Sequence, residues 1–73
     1  MPNAEDLKRR IEAAIPGSRA EVDTQDDVHF TAHVVSDAFA GLSRIEQHRL
    51  VYGAFAGELG GEIHALSLRT ETP

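Results

Sequence analysis

A chain of 73 residues with formal net charge −5 and no cysteine has room for one domain. The missing thiols exclude disulfides and a cysteine-rich zinc site, so one small core must hold the fold. No apolar run approaches the roughly 20 residues that span a bilayer, and Met1 to Lys8 lacks the apolar segment of a signal peptide, so a cytoplasmic protein without a membrane anchor is expected.

The acidic balance disfavours nonspecific nucleic-acid binding, which depends on Lys and Arg displacing counterions. Lys8-Arg9-Arg10 is the one cationic cluster, and it reads as the solvated face of an amphipathic helix.

Asn3 is a good N-cap, and Asp6 follows near the positive end of the helix dipole. Leu7, Ile11, Ala14 and Ile15 make one apolar stripe, and Pro16-Gly17 stops it, which predicts a helix over 4–15. Ala20 and Val22 alternate with charged residues across 18–24, a strand with one buried face. The polar turn Thr24-Gln25-Asp26-Asp27 suits a hairpin into a stronger strand over 28–36. Its Phe30, Ala32 and Val34 face one way; His29, Thr31, His33 and Val35 face the other.

A connector follows, with Phe39 and Leu42 expected beneath the next helix. Ser43 and Glu46 form a capping box. Ile45, His48, Tyr52, Phe55 and Leu59 recur at spacings of three and four, with Val51 widening the stripe, which predicts a main helix over 43–59 and a left-handed C-cap at Gly60. The last strand is expected over 62–70, with His64, Leu66 and Leu68 on one face. The order helix, strand, strand, helix, strand makes the long helix a crossover. We expect a single α+β domain over 1–73: two layers, with a three-stranded mixed sheet and both helices on one of its faces.

Chemistry concentrates in the histidines. His64 begins a strand after a glycine pair, so its ring can stand at the sheet edge, and neutral imidazole suits zinc, iron or copper. His29 sits just past the acidic turn, and His33 shares its face. His48 lies on the apolar stripe, where packing is the ordinary role. Each also has a purely structural reading. Two histidines are an incomplete site, since closed metal sites want four ligands and catalytic ones usually three. Asp26, Asp27, Glu62 or a partner molecule could complete it, and no spacing decides which.

Enzymatic signals are thin. Ser36 and Ser43 lack a nucleophile-elbow context, and strand end and N-cap explain them. Gly57-Glu58-Leu59-Gly60 matches the GxxG pattern of nucleotide-clamping KH loops, but it is acidic and precedes a strand, so the match is rejected.

Three blocks, Val34-Val35-Ser36-Asp37-Ala38-Phe39-Ala40-Gly41, Gln47-His48-Arg49-Leu50-Val51-Tyr52, and Ile63-His64-Ala65-Leu66-Ser67-Leu68-Arg69-Thr70-Glu71-Thr72-Pro73, together resemble the BolA family. The resemblance implies a class II KH-like fold and a non-enzymatic adaptor in iron-sulfur cluster assembly and iron homeostasis. It implies a monothiol glutaredoxin partner and a shared [2Fe-2S] cluster, with one thiolate from glutaredoxin, one from glutathione, and the remaining ligands from the BolA-like chain. The family's C-terminal histidine maps onto His64. Its second ligand, a Cys or His between the first two strands, maps onto His29. Without its partner the chain is expected to be a monomer.

The resemblance also carries an alternative, a DNA-binding transcriptional regulator, with Arg44, His48 and Arg49 as the surface. Relatives often have Arg-His-Arg where this chain has Gln47-His48-Arg49, which removes one positive charge from that surface. The acidic and aromatic tail of many relatives has no counterpart before Pro73, so a surface built from it is expected to be missing.

Overall fold

A computed structural model of the chain describes residues 3–26, 29–55 and 65–73. Helix α1 spans Ala4–Ala14, strand β1 Arg19–Thr24, strand β2 His29–Val35, helix α2 Arg44–Gly53 and strand β3 Ala65–Glu71, with one 3-10 turn at Asp37–Phe39.

The Asn3 side chain accepts the Asp6 N–H at 2.9 Å, so α1 begins where the cap predicts. Leu7, Ile11 and Ile15 are buried, and they alone form its core stripe; Ala14, expected on that stripe, is exposed. Gly17, at φ +74°, takes the left-handed turn into β1 at little steric cost. The cationic run of α1 is tied up in three directions. Lys8 pairs with Glu12 at 3.7 Å, Arg9 with Asp6, and Arg10 lies over the Phe55 ring at 5.0 Å.

The strands stand in the order β1-β2-β3. β1 pairs antiparallel with β2, and Ala20 meets Val34 while Val22 meets Ala32. β2 pairs parallel with β3, where Phe30 meets Leu66 and Ala32 meets Leu68. Side chains alternate across a strand, so these residues share one face. That face meets Leu7, Ile11 and Ile15 of α1, together with Phe39, Val51 and Phe55, in one core. The opposite face is polar. The expected mixed sheet with helices on one side is therefore the observed fold.

Helix α2 departs from its expected length and phase. It ends at Gly53, and the chain tightens: the Ala54 N–H bonds to Val51 O at 3.0 Å and the Phe55 N–H to Tyr52 O at 2.9 Å. Phe55 is buried because this turn swings it inward, not because it continues a helical stripe. Ile45, expected in the core, is 65% exposed. The helix instead turns Gln47 and Val51 inward. Gln47 donates to Leu42 O at 3.0 Å and accepts the Thr70 hydroxyl at 2.6 Å, joining connector, helix and β3. The expected helix over 56–59, the Gly60 cap, the GxxG run and the start of the last strand at 62–64 lie outside the described residues.

The capping box of α2 is complete. The Glu46 N–H donates to Ser43 Oγ at 3.2 Å, and the Ser43 N–H donates to Glu46 Oε1 at 2.9 Å. The bonds to the Ser43 backbone and hydroxyl, helped by the nearby Arg49 charge, hold the Glu46 carboxyl below its ordinary value. A depressed folded pKa stabilises the fold above the unfolded value and stops doing so as pH falls through the folded one. Ser43→Ala removes the cap hydroxyl, and losing such a cap costs about 0.5–2 kcal/mol at neutral pH. That difference from the wild type should shrink on acidification, and paired urea titrations at neutral and acidic pH would measure it.

Candidate functional site

The site is built around the β1–β2 hairpin. Thr24 closes the ladder opposite Phe30, and its hydroxyl donates to His29 O at 2.7 Å. Asp26 then binds His29 twice: Oδ1 accepts the backbone N–H at 2.8 Å, and Oδ2 lies 2.8 Å from ring Nδ1. With Asp26 ionised, Nδ1 is the donor, so a neutral His29 ring carries its lone pair on Nε2. A carboxylate that fixes the tautomer and orientation of an imidazole is the usual support of a metal-ligating histidine. The His29 side chain is 69% exposed, so a partner can reach Nε2. A cleft of about 250 Å³ lies against it, lined by Asp23, Thr24, Gln25, Asp26, His29 and Thr31.

His64 lies outside the described residues. Its covalent neighbour Ala65 opens β3 in register with His29. His33, on the same face as His29, is engaged elsewhere, its Nε2 paired with the Glu71 carboxyl. Among the described residues no group of three or more His, Asp or Glu is arranged to hold a metal ion. A metal at His29 therefore needs ligands from beyond that set.

The residues expected as a second surface fall on α2. His48 is half-buried and meets Tyr52 edge-on, with ring centroids 6.3 Å apart. Arg44 and His48 line a groove of about 320 Å³ with Leu68, Arg69 and Thr70 of β3. Arg49 is exposed beside Glu46 and is not part of that lining. Ser36 and Ser43 have structural work: Ser36 Oγ accepts the Ala38 N–H at 3.1 Å, and Ser43 caps α2.

Two participants were not singled out by the sequence reading. Asp26 was one of several carboxylates; its position three residues before His29, across a tight turn, was the signal available. Arg69 joins Arg44 and His48 only because α2 packs beside β3, which spacing along the chain does not reveal. Among the described residues, no helix is long and apolar enough to cross a membrane.

The chain is similar to known proteins over nearly its whole length. The family model described as BolA-like protein matches residues 9–73. BolA-like protein 1 of Homo sapiens is 51% identical over 47 residues, covering 64% of this chain and 34% of that protein. The DNA-binding transcriptional regulator BolA of Vibrio cholerae is 50% identical over 44 residues, covering 60% of this chain and 42% of that protein. This chain thus spans from about a third to under half of those relatives. A solved bolA homologue from Coxiella burnetii superposes with TM-score 0.82 at 41% identity, covering 100% of this chain and 94% of that one. With the α-β-β-α-β order, the mixed sheet and the matched length agreeing, the chain belongs to the BolA-like family.

Proposed function

We propose that this protein is a non-enzymatic adaptor that shares a [2Fe-2S] cluster, as cargo, with a monothiol glutaredoxin and glutathione. The observation that carries this reading is the parallel register setting His29 beside Ala65, the residue bonded to His64. Ala65, the chain neighbour of His64, thus lies beside His29 at one end of the sheet. The donor set suits an iron of such a cluster: Asp26 holds His29 with Nε2 available, and His64 supplies a second imidazole. Two thiolates from the partner and glutathione complete the ligands. Histidine ligation on one iron raises the reduction potential above that of all-cysteine plant-type clusters. It also makes binding proton-sensitive, because a protonated imidazole cannot coordinate. A cytoplasmic location is part of the same proposal.

Anaerobic reconstitution with a monothiol glutaredoxin, glutathione, iron and sulfide tests it by visible absorption and circular dichroism. The wild type should give a coloured heterodimer. His64→Ala should lose the shared-cluster spectrum while gel filtration still shows the apo heterodimer. An unchanged mutant spectrum would remove His64 from the ligand set. A colourless wild-type mixture would overturn the adaptor reading itself.

A second reading, DNA binding, is favoured by the name of the Vibrio cholerae relative and by the groove that Arg44, His48 and Arg69 share. Specific DNA binding at physiological salt, with a dissociation constant of about 10⁻⁸ M or tighter and a steep salt slope, would establish it. The net charge of −5 argues for weak binding instead.

A further inference from the structure

The two edges of the sheet are treated differently. The Ser36 N–H donates to Glu71 O at 3.1 Å, and Val35 is in register with Glu71. Every second residue of β3 therefore turns its backbone toward β2, and Leu66, Leu68 and Thr70 turn theirs away. By the same alternation Ala20, Val22 and Thr24 face outward on β1. On that edge carboxylates occupy two amides: Glu12 Oε2 accepts the Ala20 N–H at 3.0 Å, and Asp23 Oδ1 accepts the Thr24 N–H at 3.0 Å. Carboxylates on edge amides block the addition of another strand.

Among the described residues the β3 edge has no such cover. Among the described residues no third strand and no side chain takes the N–H groups of Leu66, Leu68 and Thr70. The groove of about 320 Å³ runs over this edge, lined by Arg44, His48, Leu68, Arg69 and Thr70. Among the described residues its lining holds two arginines and a histidine and no carboxylate, on a chain whose net charge is −5. Ile45, 65% exposed on α2 next to Arg44, adds an apolar position to that end of the helix.

We propose that the β3 edge is a docking site for an extended, acidic polypeptide segment of a partner, which adds a fourth strand to the sheet. Backbone pairing with Leu66, Leu68 and Thr70 supplies the register, and Arg44, Arg69 and His48 select acidic side chains. A peptide fits this surface better than a nucleic acid because the open groups repeat at strand spacing and, among the described residues, only two arginines line it. The docking edge runs from about 3 Å (Leu66) to about 16 Å (Thr70) along the strand from Ala65, and it rests on the open strand edge, independently of cluster ligation.

The probe is a short acetylated, amidated peptide of alternating glutamate and valine, titrated into the isotope-labelled protein. Amide exchange at Leu66, Leu68 and Thr70 should slow, while Ser67 and Arg69 change little. Arg44→Ala with Arg69→Ala should weaken binding about tenfold or more, the worth of one charge-assisted contact. The same peptide N-methylated at alternate residues keeps its charge and should not bind. Equal binding of the methylated peptide overturns strand addition. Tighter binding of oligothymidylate at these same residues makes the groove a nucleic-acid site and overturns the peptide assignment. No slowing at the three amides at saturating peptide overturns the proposal as well.

Discussion

Phe30→Ala is expected to cost about 3–5 kcal/mol of stability. Phe30 sits on the central strand, 2% exposed, in register with Thr24 on one side and Leu66 on the other. Its ring belongs to the core cluster that includes Leu7, Ile11 and Phe55. Truncating a buried phenylalanine costs about 3–5 kcal/mol, part lost transfer energy and part cavity. Marginal stability of about 0.05–0.15 kcal/mol per residue gives a chain of this size roughly 4–11 kcal/mol in total. Truncation thus removes about a quarter of the stability at the upper end of that range and all of it at the lower end. Neighbours cannot collapse far into the gap, because β2 is paired on both sides. Phe30→Leu, which keeps most of the volume, should cost well under half as much. Urea unfolding followed by far-UV circular dichroism measures both. A loss below about 2 kcal/mol for the alanine variant would mean that the core repacks around the cavity.

The same core explains what could be read from the residues alone. Asn3, Ser43 and Glu46 announce helix starts because caps are local chemistry, and they cap as expected. The faces of β2 follow from strict alternation, so Phe30, Ala32 and Val34 were legible as core. α2 was misread because its inward face includes Gln47, a polar residue satisfied by Leu42, Phe39 and Thr70. A count of apolar positions gave Ile45 the place that Gln47 holds. Phe55 was assigned to the core correctly, but it arrives through a turn after Gly53. No periodicity within the helix encodes that turn; Arg10 supports it from α1, through a 3.3 Å bond to Ala54 O and its contact with the Phe55 ring.

The candidate site divides in the same way. His29 was recognised as an exposed residue beyond an acidic turn, but the function of that turn was not. Asp26 both pins the start of β2 and orients the ring, a double role that only the folded hairpin displays. The pairing of His29 with Ala65 depends on strand register, set by the core contacts of Phe30 with Leu66 and Ala32 with Leu68. A one-residue slip would turn those side chains to the wrong face. Burial of the core thus fixes the register of His29 with Ala65 at the sheet's end.

Removing the Asp26 support should separate ligation from folding. In Asp26→Ala the His29 ring loses its Nδ1 partner and its fixed tautomer, while His29 itself remains. Loss of such a supporting partner typically weakens metal affinity about 10–100-fold. We therefore expect the reconstituted complex to form with wild-type colour but to lose its cluster to a chelator much faster. His29→Ala should go further, giving an altered or weakened spectrum, although with less effect than His64→Ala. His29→Cys is the informative control. A thiolate there keeps a ligand on the iron, so colour should persist, and the reduction potential should fall toward that of an all-cysteine cluster. Chelator-release kinetics, dichroism and redox titration of the four complexes provide the readouts, with far-UV dichroism confirming that each variant folds. Wild-type release rates in both Asp26→Ala and His29→Ala would remove His29 from the site. The second ligand would then come from Asp27, Glu62 or the partner.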